Sequence, residues 1–309
     1  MTPPAAQPSS PSTTTSTAPR PFLKWVGGKR QLLPQMGEIL PDPNTIQGTG
    51  YREACIGGGA AFFGLYRDVR PAILADVNPR LINAYVAVRD QLGRLTDALA
   101  RYQAQFDRSK TWDEFRSVYL RIRAEEPQDR GYVAADRAAW LITMNRTCMN
   151  GLYRENQQGT FNVGPGKWGK EGAPFLMPRI HDPLNLHACS VALQGVRLVC
   201  VDFERIIETS RGGEFVYIDP PYLPLTSTAN FTAYTKGGFG IEVHRRLVDA
   251  TRTAARRGVK VAISGSDTSL SRLLYKEWHI HELEARRSIN SVGSKRGMVG
   301  EILVTTFDK

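Results

Sequence analysis

Between Tyr51 and Asp76 the chain reads as strand, glycine turn, helix, strand and acid, an order that few folds accommodate. Tyr51 to Ile56 is a strand, Gly57-Gly58-Gly59 the turn, Ala60 to Tyr66 a helix, and Ala72 to Ala75 a second, apolar strand ending at Asp76. This is the outline of a Rossmann-like βαβ unit. The glycines let a ligand approach the backbone, and an acid about 20 residues on takes ribose hydroxyls. An α/β fold follows. A nicotinamide site would want G-x-G-x-x-G, which Gly57 to Gly59 followed by Ala60-Ala61-Phe62 does not supply. A P-loop is excluded too. Gly27-Gly28-Lys29 runs into Arg30 rather than Ser or Thr, and no glycine opens the loop at the required spacing.

The same alternation returns late in the chain. Val196 to Val201, Glu214 to Ile218, Lys260 to Ser264, Ile280 to Glu284 and Glu301 to Phe307 read as strands, and Glu242 to Arg257 as an amphipathic helix. Before the first strand, Arg30 to Leu40 reads as a helix stopped by Pro41-Asp42-Pro43. The middle has a helical period: Leu81, Ala84, Tyr85 and Val88 share a face, as do Phe115, Val118, Tyr119 and Ile122. The expectation is one α/β domain in two pieces, 21–84 and 188–309. A mostly helical insertion at 85–187, too long for a loop, divides them. Residues 1–20 form a tail in which 14 of 20 are Pro, Ser or Thr, too poor in apolar groups to offset the entropy of ordering.

The sharpest motif is Asp219-Pro220-Pro221-Tyr222, directly behind the strand Phe215-Val216-Tyr217-Ile218. Open α/β sheets put their ligands at the carboxyl ends of strands. The two prolines stiffen the loop and remove two N–H donors. What remains is a carboxylate, a Pro220 carbonyl and an aromatic face. That set suits a planar ring bearing an exocyclic amino group. Asp219 and the Pro220 carbonyl accept its N–H bonds, and Tyr222 stacks on the ring.

Charge points to a polyanionic partner. The formal net charge is +10, which suits nucleic acid. It is spread over the chain, with local excesses at Arg146, Arg154, Lys167 and Lys170 and at Arg286, Arg287, Lys295 and Arg296. No apolar run approaches a membrane span, and residues 1–20 lack the pattern of a secretory signal. Four scattered cysteines without a C-x-x-C pair argue against a thiolate metal site and a disulfide framework, and fit a reducing cytoplasm. His279 and His281 share a strand face with no third ligand in view, and His181, His187 and His244 read as structural.

Together these blocks resemble the Dam-type (D12 class) family of DNA adenine-N6 methyltransferases. The resemblance runs from residue 21 to about 307. It is carried by Phe22-Leu23-Lys24-Trp25-Val26-Gly27-Gly28-Lys29, Glu53 to Gly59 with Asp76, Asn145 to Arg154, and Asp219 to Tyr222, in the family's order. Ala229 to Tyr234 and Arg287 to Ser291 with Lys295-Arg296 are also similar. The resemblance implies a Rossmann-like methyltransferase fold with S-adenosylmethionine as cofactor. Trp25 and Lys29 would lie at the cofactor, Gly57 and Gly59 beside its methionine part, Asp76 on the ribose, and Asp219 where cofactor and target base meet. Where the family usually has Pro-Phe, this chain has Ala54-Cys55, so one aromatic wall of that pocket is missing.

The resemblance also makes 85–187 a target-recognition domain for duplex DNA, reading a site that in the family is often GATC. Arg154 would sit on a guanine edge, Asn150 and Asn162 on bases or phosphates, and Leu152 against a thymine methyl or between bases. Arg146, Lys295 and Arg296 would add contacts to DNA. Met149 and Gly164-Pro165 depart from the family's usual aromatic positions. The expected enzyme is a cytoplasmic, bacterial or phage-encoded monomer, with no metal and no membrane partner. It would flip adenine out of the duplex and methylate N6. Two alternatives stay open at this point: a cytosine-N4 methyltransferase, and a DNA-binding module that has lost catalysis.

Overall fold

The computed structural model describes residues 18–127, 134–167, 176–222, 240–286 and 298–308. The expected motif Ala229 to Tyr234, the Arg287 to Ser291 segment, Lys295, Arg296 and nearly all of the tail lie outside them. Seven strands form one sheet: β1 (Tyr51–Ala54), β2 (Ala72–Asp76), β3 (Val196–Cys200), β4 (Phe215–Ile218), β5 (Lys260–Ser266), β6 (His279–Arg286) and β7 (Met298–Thr305). Their order is β3-β2-β1-β4-β5-β7-β6. The first five are parallel, and β7 runs antiparallel to both β5 and β6. All four residues of β1 and of β4 are buried, as central strands covered on both faces should be, although β1 carries the charged Arg52 and Glu53.

The strand order reverses between β1 and β4. Ala54 pairs with Ala75 on one side and with Ile218 on the other. Chain leaving β1 goes outward to β2 and β3, and chain leaving β4 goes the opposite way to β5. Open sheets bind ligands in the crevice at such a switch point. The loops that open it here are Cys55–Gly59 and Asp219–Tyr222.

Helices cover both faces. α1 (Leu33–Ile39), α2 (Pro79–Asp90), α3 (Leu92–Phe106), α4 (Trp112–Ala124), α5 (Ala134–Thr147) and α6 (Pro183–Leu193) share one apolar cluster with Tyr51, Leu74, Phe215 and Tyr217. α7 (Phe203–Glu208), α8 (Ile241–Arg256) and α9 (Ser269–Leu274) flank the other cluster, where Leu247 and Val248 meet Val216, Ile218 and Val261. The expected faces are present. Leu81, Ala84, Tyr85 and Val88 are buried, and so are Phe115, Tyr119 and Ile122, with Val118 half-buried.

Several local expectations are corrected. The helix expected from Arg30 to Leu40 is broken into a 3-10 turn, Lys29–Gln31, and α1, because Pro34 belongs in a helix's first turn rather than its interior. The helix after the glycines opens into a π turn, Phe62–Tyr66. Gly64 packs there so closely that a Cβ would stand 2.5 Å from Leu33 Cδ1. Residues 85 and 187, the expected ends of the insertion, lie within α2 and α6. Arg20, assigned to the tail, is held by α6: its N–H donates to Asn185 Oδ1 (2.9 Å) and its carbonyl accepts from Asn185 Nδ2 (3.0 Å).

Candidate active site

The glycine turn is set by backbone conformations that favour glycine. Gly57 has φ 48° and Gly59 φ 71°. Space is short as well: a Cβ on Gly57 would lie 2.6 Å from Trp25 Cδ1, and one on Gly59 would lie 2.6 Å from the Tyr85 hydroxyl. Tyr85 donates to the Gly57 carbonyl at 3.0 Å. Cys55, with φ 59°, is half-buried, and Trp25 packs on Gly57 and Gly58. Trp25 in turn stacks on Tyr153, ring centroids 5.8 Å apart.

Asp76 closes the floor at the end of β2. Its carboxylate accepts from Gly57 N–H (3.2 Å) and Asn78 N–H (2.9 Å), so it ties the glycine turn to the start of α2. Burial raises its pKa above the ordinary carboxyl value, against the pull of those N–H groups. Beneath the turn, buried Glu53 accepts from the Tyr51 hydroxyl (2.7 Å) and from Phe62 N–H (3.0 Å). Burial pushes Glu53 up to about 8, with the nearby Asp219 charge adding to the rise.

Asp219 stands across the switch point, with its side chain 23% exposed. Lys29, only 2% exposed, places Nζ 2.8 Å from Asp219 Oδ1 and 2.9 Å from Oδ2. Burial raises the Asp219 pKa, and the Lys29 ammonium opposes the rise. Pro220 is buried, and Tyr222 lies under Lys29, whose Nζ is 4.7 Å from the ring centre. Lys29, Asp219 and Tyr222, far apart in sequence, thus form one cluster, with Trp25, Gly57, Gly59 and Asp76 on the neighbouring turn.

The residues expected to contact DNA are spread differently. Asn145, buried in α5, clamps the Phe22–Lys29 loop: its Oδ1 accepts from Lys24 N–H (2.8 Å), and its Nδ2 donates to the carbonyls of Lys24 (2.7 Å) and Gly151 (2.9 Å). Asn150 is exposed and left-handed, φ 57°. Leu152 is half-buried against the core. Arg154 and Asn162 face each other on a narrow hairpin, Arg154 Nε donating to Asn162 Oδ1 at 2.8 Å and Asn162 N–H to Arg154 O at 3.0 Å. Arg146 is half-buried at the end of α5. Burial lowers its pKa, and among the described residues its buried Nε has no hydrogen-bond partner.

Four residues in these contacts escaped sequence reading as site residues. Glu53 and Asn145 stand inside quoted motifs but look like ordinary strand and helix positions. His244 on α8 looked structural, yet its Nε2 lies 3.2 Å from the Pro221 carbonyl. Glu301 on β7 reaches the Tyr222 hydroxyl at 2.7 Å, and no local signal marks it.

Among the described residues, no group of three or more His, Cys, Asp or Glu is placed to hold a metal ion, and no helix is long and apolar enough to cross a membrane.

A sheet with an antiparallel seventh strand between β5 and β6, and acids at the carboxyl ends of β2 and β4, defines a Rossmann-like methyltransferase. The chain belongs to the D12 class N6 adenine-specific DNA methyltransferase family, whose model matches residues 25–289. It is 36% identical to a type II methyltransferase of Lactococcus lactis subsp. cremoris, over 93% of this chain and 95% of that one. It is 35% identical to a type II methyltransferase of Methanocaldococcus jannaschii, over 93% and 99%. With the DNA adenine methylase of Escherichia coli K12 the identity is 31%, over 92% and 94%. The reaction is therefore methylation of adenine N6 in DNA, which removes the cytosine-N4 alternative.

Proposed function

We propose that the crevice between β1 and β4 brings S-adenosylmethionine and a flipped-out adenine together, and that the segment from α3 to the Arg154–Asn162 hairpin selects the site in duplex DNA. The observation that carries this reading is the position of Asp219: a half-shielded carboxylate at the switch point, beside a glycine turn too tight for side chains. The residues fit the cofactor. Gly57 and Gly59 let the turn close tightly under Trp25 and Tyr85, beside which its methionine part would lie, and Asp76 offers a carboxylate at the end of β2, where a ribose is held. Trp25 and Lys29 close the turn. The bound cofactor supplies an activated sulfonium methyl.

The chain's own work is positioning. An adenine N6 lone pair is conjugated into the ring and is a poor nucleophile. Asp219 and the Pro220 carbonyl accept the two N6 hydrogens, which aims the lone pair out of the ring plane, and Tyr222 supports the ring by stacking. Fixed dipoles and charges at the reacting atom supply electrostatic and proximity catalysis. Extruding the base costs a few kcal/mol, offset by contacts from Arg154, Asn150, Asn162 and Leu152 to the duplex. The Arg146 guanidinium joins this reading as a contact to phosphate. Lys295 and Arg296 join this reading on sequence alone. GATC, or a related site, is the sequence proposed.

The test is digestion of methylated DNA to nucleosides, comparing wild type with Asp219→Ala. N6-methyladenine from wild type, with activity down by about 100-fold or more in the variant, is expected, and sequencing the product gives the site. A folded wild type that yields no methylated base from several DNA sources would support the binding-module reading instead.

A further inference from the structure

Lys29 occupies both oxygens of Asp219, the acceptor that an incoming amine has to use. A second carboxylate stands ready on its other side: Glu301 Oε2 is 3.9 Å from Lys29 Nζ and accepts from the Tyr222 hydroxyl at 2.7 Å. Glu301 belongs to β7, opposite Ser266 at the end of β5. The antiparallel return of the chain therefore delivers a carboxylate to the switch point from the far side of the catalytic loop. The cluster holds two carboxylates and one ammonium, a formal excess of one negative charge.

We infer that Glu301 is a positioning residue for methyl transfer, an inference that rests on the reading of the site given above. It performs two tasks through one oxygen. It anchors the Tyr222 hydroxyl, which fixes the plane on which the target ring stacks. It also takes up the Lys29 ammonium when the amine claims Asp219, a displacement of about 1 Å that brings a 3.9 Å pair to hydrogen-bond distance. With Lys29 neutralised by Glu301, the charge on Asp219 would face the positive charge that grows on N6 as its lone pair takes the methyl carbon, while the carbon–sulfur bond breaks with its electron pair left on sulfur and the surplus N6 proton leaves through Asp219 to solvent. Without Glu301, Lys29 stays on Asp219 and cancels it.

The test uses the full chain and two unmethylated duplexes carrying the target site, one with adenine at the target position for the rate and one with 2-aminopurine there, which lacks the N6 amine, for extrusion. Glu301→Gln keeps the shape and an acceptor for Tyr222 but removes the charge. Glu301→Asp keeps the charge. Expected for Glu301→Gln is a single-turnover rate lower by about 10- to 100-fold, DNA affinity within about twofold of wild type, and an acid loss of rate that sets in at lower pH than in wild type, because the Glu301 charge no longer helps to raise the Asp219 pKa. Glu301→Asp restores part of the rate. Tyr222→Phe, which removes only the hydroxyl that Glu301 holds, weakens the 2-aminopurine signal of the stacked, extruded base. Its effect is not additive with Glu301→Gln. A wild-type rate and pH profile in Glu301→Gln overturn the inference. Should that variant fail to fold, an unchanged extrusion signal in Tyr222→Phe overturns it. A wild type that neither extrudes nor methylates the base defeats the reading of the site itself, so the two failures are distinct.

Discussion

Glu53 shows how much a single residue under the glycine turn controls. It is buried, its Oε2 accepts from both Tyr51 and Phe62, and its pKa lies near 8, so at neutral pH it is protonated in the folded chain. A raised carboxyl pKa means that the folded state holds a proton that the unfolded chain releases near its ordinary value of 4.5. The stabilisation is therefore complete below pH 4.5 and is lost as pH rises towards about 8. Between about pH 6.5 and 8 the loss amounts to about 2 kcal/mol. Glu53→Gln resembles the protonated form and has nothing to titrate. Urea denaturation at several pH values should show wild-type stability falling over that interval and the variant's staying level. A wild type as level as Glu53→Gln would mean that Glu53 is ionised in the fold. The motif made this position visible, but its protonation depends on Tyr51, Phe62 and Asp219 surrounding it, which strand alternation does not reveal.

At the scale of elements, α8 props the catalytic loop. The Pro221 carbonyl can only accept, so His244 donates to it from Nε2, which leaves Nδ1 to accept from the Tyr275 hydroxyl at 3.0 Å. A directed chain of two hydrogen bonds thus joins Tyr275 just past α9, α8 and the loop after β4. Burial depresses the His244 pKa to about 4, so the imidazole is neutral at working pH and the direction is fixed. Because the folded value is below the unfolded one, stability is kept above pH 6.5 and lost as pH falls towards about 4, by about 3 kcal/mol in all. His244→Phe fills the volume but breaks both bonds. We expect turnover to fall by about tenfold with DNA affinity unchanged, together with a flatter stability curve between pH 6.5 and 4. A variant with wild-type turnover and wild-type acid sensitivity would show that the loop needs no prop. Elements built from local pattern were legible: β4 with its acid, the stripe on α2, the amphipathic α8. What α8 touches was not, because His244 lies 23 residues beyond Pro221 and nothing around it in the sequence marks it as the loop's partner. The placement of β7 between β5 and β6 is likewise a matter of long-range pairing, and only that placement brings Glu301 to Tyr222.

Across the whole molecule, the crevice and the recognition segment are joined at one buried side chain. Asn145 uses its acceptor on Lys24 N–H and its donors on the Lys24 and Gly151 carbonyls. The Phe22–Lys29 loop, which supplies Trp25 and Lys29 to the crevice, is thereby fixed to the segment that leads to Arg154. Close packing reinforces the joint. A Cβ on Gly151 would stand 2.4 Å from Lys24 Cβ, and Trp25 stacks on Tyr153 of the same segment. The order of motifs gave the class of the molecule, whereas this joint links positions 121 residues apart and leaves no local trace. Asn145→Ala leaves a backbone N–H and two carbonyls without their partner, a loss on the order of 3 kcal/mol. If the joint couples the two halves, Asn145→Ala weakens S-adenosylmethionine binding and DNA binding together, although Asn145 would touch neither ligand. Among the described residues the Arg154 side chain bonds to Asn162 of its own hairpin, so Arg154→Ala weakens DNA binding alone. Calorimetric titration of each variant with S-adenosylmethionine, and then with DNA, separates the cases. Wild-type affinity for S-adenosylmethionine in a folded Asn145→Ala would show that the crevice is shaped without the recognition segment. Parallel losses would mean that the geometry that receives the methyl donor depends on the segment that reads the DNA.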